Sequence, residues 1–191
     1  MPAEVLTRAE VDALMRVCSK RAPTGIRNRA LIALLYRGQL RIGEALALKP
    51  KDLDRKAGTV RVLHGKGDRS RTIGLDDGPW AILELWLQCR QKHGLYGRHP
   101  IFCTLKGQPL QSRYCRALLA RLGTKAGIEK RVHPHGLRHT GAAELRAEGV
   151  DIGIISRQLG HSSIATTSRY LDHVAPKQVV DAMRKRAWSA E

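Results

Sequence analysis

The stretch HPHGLRHTGAAELRAEGVDIGIISRQLGHSSIATTSRYL, residues 133–171, decides how this chain is read. Two histidine-bearing knots, HPHGLRH and LGHSS, bracket a run whose apolar residues return at helical spacing. Gly149 and Gly160 interrupt that run, so the pattern predicts three helices in close order from residue 135 onward. Tyr170 falls on the last of them. Taken alone it would be a partly buried helix residue of no special interest.

The rest of the chain supplies a context. Its 191 residues are enough for one domain with a real core. Lys and Arg number 34 against 17 Asp and Glu, a net charge of +17. A compact protein with that excess repels itself, and a polyanion is the simplest partner to relieve it. Nucleic acid comes first, since each neutralised phosphate releases a condensed counterion. One Phe, three Trp and four Tyr are too few for a single-strand binder built on base stacking. Double-stranded DNA held through its phosphates fits better, with modest sequence preference and steep salt dependence as the expected behaviour.

Cys18, Cys89, Cys103 and Cys115 form no CxxC pair or other metal spacing, and they read as free thiols of a reducing compartment. The opening MPAEVLTRAEVD carries charge and no apolar core, unlike a signal peptide. The longest apolar run, ALIALLY at 30–36, is too short to cross a bilayer, and the expected location is cytoplasmic.

Along the chain, LTRAEVDALMRVC opens with a capping box, Thr7 and Glu10, and places Val11, Leu14, Met15 and Cys18 on one helical face. RNRALIALLYRGQ is apolar over several turns and reads as a buried helix, while RIGEALALK is a short helix stopped by Pro50. In TVRVLHGKGDRSRTIGL the period changes: Val60 and Val62 alternate with polar residues, a glycine-rich turn follows, and TIGL resumes. That is a β-hairpin with Lys66 at or near its tip. DDGPWAILELWLQCRQKHG is a helix ended by Gly94, HPIFCTLKGQPL a short extended piece with a turn, and SRYCRALLARLGTKAG a helix capped by Ser112. The tail PKQVVDAMRKRAW, with Val179, Val180 and Met183 on one face, adds an amphipathic helix over 176–188. The fold class is therefore mainly α with a small antiparallel β-sheet.

With HGLRH, LGHSS and TTSRY in that order, the chain resembles the catalytic domain of the tyrosine recombinases, the phage-integrase family. LLYRGQLRIGEALALK is similar to that family's first arginine box, and GKGDRSRTIGL to its lysine hairpin. The resemblance covers nearly the whole chain and implies six catalytic positions: Arg41, Lys66, His135, Arg138, His161 and Tyr170 as nucleophile. It further implies a single catalytic domain over 1–191, with the usual DNA-grasping N-terminal domain missing ahead of it. Other implications are a monomer that assembles as a tetramer on paired DNA sites, a last helix that docks on its own domain or on another copy, and no cofactor or metal. One departure stands out. Where the family reads Thr-Gly-Leu-Arg this chain reads GQLR, with Gly38 and Gln39 in the first two places, and the backbone ahead of Arg41 is expected to turn differently.

The residue types suit the chemistry so implied. A phenol that titrates near 10 needs positive surroundings and a proton acceptor before it can attack a phosphodiester. Two guanidinium groups match the two non-bridging oxygens on which charge collects. Removing one such donor typically costs about 3–4 kcal/mol of transition-state stabilisation. By the resemblance Lys66 protonates the leaving 5′-oxygen and His161 donates a hydrogen bond to the phosphate; His135, an imidazole titrating near neutrality, is suited to take or share the tyrosine proton. His139 would pack behind the site, and Glu44 would brace Arg41.

Other readings of the same residues exist. IISRQLGHSSIATTSRYL has the rhythm of a helix-turn-helix, which would make the chain a non-catalytic DNA-binding regulator with Tyr170 in its core. That account leaves Arg41, Lys66 and HGLRH without a role. His135 and His139 stand four apart, as in some zinc helices, yet no HExxH and no nearby carboxylate completes such a site. Type IB topoisomerases use a similar residue set, and relaxation of supercoils would share the same chemistry.

Overall fold

The computed structural model describes residues 5–63, 70–161, 163–171 and 184. The tip of the predicted hairpin, Lys66 included, and all of the predicted 176–188 helix except Arg184 lie outside the described residues.

The centre of the molecule is α2 (Pro23–Tyr36), entered through Pro23 in its first turn. Its apolar residues run right round the helix, so it has no solvent face, and Leu31, Ile32, Leu34 and Leu35 are almost fully buried. Against it pack α4 (Asp77–Lys92), which brings Trp80, Leu83 and Trp86, and α6 (Pro134–Ala147). Trp86 finds a partner for its indole N–H in the Ile101 carbonyl at 2.8 Å. The expected capping box opens α1 (Arg8–Arg16): the Glu10 N–H donates to Thr7 Oγ1 at 3.2 Å, and the Thr7 N–H donates to the Glu10 carboxylate at 2.6 Å.

After α2 come α3 (Ile42–Ala47), a 3₁₀ turn at Pro50–Asp52, and a three-stranded antiparallel sheet. Its strands are β1 (Leu53–Asp54), β2 (Thr59–Val62) and β3 (Arg71–Gly74), in that order, with Val60 opposite Ile73 and Val62 opposite Arg71. The hairpin of the sequence is thus β2–β3. The extended piece at 99–110 shows one bridge, Cys103 with Pro109, and leads into α5 (Ser112–Lys125). Here one expectation fails. Gln111, not Ser112, is the N-cap, because Ser112 already has helical geometry, and no side chain caps this helix.

The decisive stretch forms α6, α7 (Ile152–Leu159) and α8 (Ile164–Leu171). Asp151 caps α7 by accepting from Gly153 N–H at 2.8 Å and Ile154 N–H at 3.3 Å. Gly149 and Gly160, at φ +85 and +66, take the left-handed turns that end α6 and α7. The four cysteines are free thiols. Among the described residues no helix is long and apolar enough to cross a membrane.

Candidate active site

Five of the six predicted residues are described, and all five converge on one pocket where the α2–α3 turn, α6 and the α7–α8 turn meet. The convergence starts with a close approach. A Cβ placed on Gly141 of α6 would lie 1.9 Å from the Tyr36 carbonyl oxygen, so only glycine lets α6 rest on the end of α2. Arg138, one turn earlier on α6, therefore reaches the turn after α2. Its Nη1 donates to the Gln39 carbonyl at 2.5 Å and its Nη2 to the Leu159 carbonyl at 2.7 Å. The guanidinium is 2% exposed and is held by neutral acceptors. Burial first, and then the neighbouring Arg41 charge, pull it down to about 10.

Arg41 is the N-cap of α3. The Glu44 carboxylate reaches back to it twice, accepting from its backbone N–H and from Nη1, both at 2.8 Å. The expected brace is there, and Glu44 is no surface carboxylate: it is 6% exposed. Ahead of Arg41 in GQLR, Gln39 takes φ +46, the left-handed conformation natural to glycine, although a glutamine occupies the place.

His133 caps α6, its Nδ1 accepting from the Gly136 N–H at 3.2 Å, and Pro134 starts the helix. Entry at this point sets His135 one turn before Arg138. Behind α7, the left-handed Gly160 turns the chain so that His161 enters the pocket. Its Nδ1 pairs with Thr167 Oγ1 at 2.9 Å, and its Nε2 lies 3.5 Å from Arg138 Nη2. Burial and the cations Arg138, Arg41 and Arg71 push His161 down to about 4, so it is neutral at pH 7. His135 is lowered for the same kinds of reason, burial ahead of Arg138.

Tyr170 completes the group. Its ring sits edge-on to three imidazoles, with centroids 5.7 Å from His135, 4.3 Å from His139 and 5.6 Å from His161. The hydroxyl is buried and meets no hydrogen-bond acceptor or donor with good geometry among the described residues. Burial raises it to about 12, although Arg138 comes near enough to favour the phenolate and Arg41 pulls the same way. A buried phenol among cations and imidazoles, with Arg138 close to its hydroxyl, is an arrangement that suits a negatively charged group.

Two residues passed over in the sequence belong here. Arg71 of β3 grips Glu44 with Nη1 at 2.8 Å and Nη2 at 2.9 Å. Thr167, fully buried on α8, orients His161. Arg71 had a usable signal, since the β2–β3 register puts it on the same strand face as buried Ile73. An arginine on an apolar strand face requires a carboxylate partner.

A comparison with protein families matches residues 4–176 to the phage integrase family. The chain belongs to that family. Among curated proteins it is 34% identical to the tyrosine recombinase XerD of Ralstonia nicotianae over 92% of this chain and 58% of that protein. It is 37% identical to the tyrosine recombinase XerC of Bacillus licheniformis over 94% of this chain and 59% of that protein. The chain thus spans somewhat over half the length of these relatives. Among solved structures it superposes on XerA recombinase with a TM-score of 0.83 at 28% identity, covering 98% of this chain and 67% of that one. It also superposes on XerH site-specific recombinase in a post-cleavage complex with palindromic difH substrate, with a TM-score of 0.75 at 29% identity, covering 96% and 53%. The phage-integrase resemblance and the mainly α fold with a small antiparallel sheet are as expected from the sequence.

Proposed function

We propose that this chain breaks and rejoins double-stranded DNA, site-specifically, through a covalent 3′-phosphotyrosine at Tyr170. The observation that carries the reading is the gathering of Arg138 and three histidine rings about the Tyr170 side chain, whose hydroxyl is buried, with Arg41 braced by Glu44. In the cleavage step the phenolic oxygen attacks the scissile phosphorus, the P–O5′ bond breaks, and the phenol proton passes to His135. The 5′-oxygen takes its proton from Lys66, a role that rests on the family resemblance. Arg41 and Arg138 carry the charge on the non-bridging oxygens, and neutral His161 donates from a ring N–H once Thr167 supplies the hydrogen to its other nitrogen. The reverse attack by a 5′-hydroxyl restores the phosphodiester. Because one phosphoester replaces another, the exchange is close to isoenergetic and calls for no nucleotide.

Supporting the reading are the family membership, the relatives named tyrosine recombinases, and a neighbour solved with DNA after cleavage. The net charge of +17 suits a duplex partner. We infer also that copies assemble on paired sites as a tetramer, since exchanging two duplexes requires four strand cuts and each copy carries one Tyr170.

The helix-turn-helix reading gains little. α7 and α8 do flank a glycine turn, and Tyr170 packs in part on the small apolar cluster around Ile155 and Leu159, yet its ring also meets three imidazoles, which a core tyrosine of such a motif would not require. The test is direct. A pool of randomised duplexes, each nicked so that the short 5′-hydroxyl fragment diffuses away after cleavage, is incubated with the chain and then denatured. A protein–DNA adduct that survives denaturation, and is lost in Tyr170→Phe, is the expected result. A salt-sensitive complex with no adduct would leave a DNA-binding protein without this chemistry.

A further inference from the structure

Arg71 stands at the first residue of β3, and its side chain leaves the sheet to run across the turn that delivers His161. A Cβ on Gly160 would lie 2.6 Å from Arg71 Cδ and 2.7 Å from its Nε, so the arginine fills the space that glycine leaves. Its fork is fully used: Nη1 and Nη2 donate to the two oxygens of Glu44 at 2.8 and 2.9 Å, and Nε donates to the Gln158 carbonyl at 3.2 Å. Gln158 ties the same two elements again. Its side-chain amide donates to the Gly74 carbonyl at 2.9 Å and accepts from the Gly74 N–H at 3.0 Å, filling the place of a neighbouring strand on β3. β3 is thereby fastened to α7 just before His161, and to α3 just after Arg41.

Glu44 is the carboxylate shared among three guanidinium groups: Arg41 from α3, Arg71 from β3, and Arg138 from α6 at 3.9 Å. Left with Arg41 and Arg138 alone, a buried carboxylate would take up the donors that a phosphate needs. Arg71 satisfies it from the opposite side with two parallel bonds. Arg41 then commits one guanidinium donor and its backbone N–H to Glu44, and its side chain makes no further hydrogen bond among the described residues. Its side chain remains about a third exposed, open to the pocket.

We propose that Arg71 is a positioning residue: through Glu44 it fixes Arg41 toward the Tyr170 pocket, and through Gln158 it locks strand β3 to the helix that presents His161. It touches no reacting atom. This inference rests on the proposed phosphotyrosine chemistry.

The test measures single-turnover adduct formation on a nicked duplex that the unsubstituted chain selects from the randomised pool, using Arg71→Ala, Arg71→Lys, Glu44→Gln and the Arg71→Ala/Glu44→Gln double variant. Misplacing Arg41 by about an ångström is expected to slow Arg71→Ala about a hundredfold while duplex affinity changes little. Arg71→Lys, which keeps the charge but not the fork, recovers only part of the rate. In the Glu44→Gln background the Arg71 substitution loses most of its effect, keeping only the share that travels through the Gln158 carbonyl. Arg71→Ala should also gain an acid limb in its pH–rate profile that vanishes when Glu44 is Gln, a signature that simple loss of stability would not produce. Should Arg71→Ala lose its fold on melting, the comparison of Arg71→Lys with Glu44→Gln carries the decision. A wild-type rate in Arg71→Ala, or effects that multiply in the double variant, overturns the positioning role alone. No adduct from the unsubstituted chain takes down the proposed chemistry and this inference with it.

Discussion

Gln39 ties the two arginines of the pocket together, and replacing it tests the backbone that does so. Its carbonyl accepts from Arg138, it stands two residues before Arg41, and it holds φ +46 with its side chain 2% exposed. A left-handed conformation costs a residue with a Cβ roughly 1–2 kcal/mol. Glycine escapes that cost but loses about 0.4–1 kcal/mol through the wider freedom of its unfolded chain. Comparing Gln39→Gly with Gln39→Ala cancels most other terms, since both delete the amide whose buried Oε1 finds no partner among the described residues. The glycine variant should therefore be the more stable by about 1 kcal/mol, or about 2–4 °C in thermal midpoint for a chain of this size. Almost everywhere else in a protein the order is the reverse. Urea unfolding of the two variants, compared at equal m-values, gives the answer. An alanine variant as stable as the glycine one, or more so, would show that the turn relaxes and that Arg41 and Arg138 are not held by it.

Further outcomes follow from the same site. Gly141→Ala sets a Cβ into the Tyr36 carbonyl and should cost about 3 kcal/mol or more, lowering the thermal midpoint by roughly 10 °C in a melt. Burial pushes the Glu44 carboxyl up, but hydrogen bonds from Arg71 and Arg41 outweigh it and hold the group at about 2 against an ordinary 4.5. With the folded value depressed, its contribution is complete above pH 4.5 and disappears as pH falls toward 2. Unfolding free energies of the wild type and Glu44→Gln should accordingly converge by about 3 kcal/mol between pH 5 and pH 2, and a constant gap would refute the pairing. His161, also depressed, is neutral in the folded chain. Its ring proton signal in NMR should titrate near pH 4, moving upward in Arg41→Ala, and its stabilising share is full above 6.5 and lost as pH falls through 4.

Much of this was legible in the sequence, and for identifiable reasons. Local chemistry announces itself: the Thr7–Glu10 box, and Gly149 and Gly160 at helix ends, all act within a few residues of where they stand. Arg41, His135, Arg138, His161 and Tyr170 were singled out by the family resemblance, which their type, order and spacing carry, and the fold brings these five together. Arg71 was not, although its strand face shared with Ile73 was a usable signal, since it sits among Lys66 and Arg69 and its partner Glu44 lies 27 positions away. Thr167 was missed because a buried threonine three residues before a tyrosine looks like packing until His161 is seen beside it. Gln39 misled for the opposite reason. Its side chain argues against a left-handed turn, and the contact of Gly141 with Tyr36, together with the bond from Arg138, imposes one. For Arg71 and Gln39 the deciding interaction is long-range and no short window of sequence contains both halves, whereas Thr167 and His161 stand six apart and only the fold shows their side chains meeting.

The charges of the pocket explain why its tyrosine rests in the state it does. Three guanidinium groups share one carboxylate, and the excess shows in the neighbours: Arg138 is drawn down to about 10 and His161 to about 4, each by burial and then by nearby cations. Yet the same cations fail to ionise Tyr170, because burial outweighs them. Burial thus keeps Tyr170 and His161 neutral, while Glu44 and the guanidinium groups around it stay charged through one another. A phosphodiester would reverse the balance. Its negative charge would satisfy the spare donors of Arg41 and Arg138 and raise the histidines toward values at which one of them can take a proton from the phenol. If Tyr170 acts as proposed, a bound phosphodiester that raises His135 or His161 would favour transfer of the phenol proton to that imidazole.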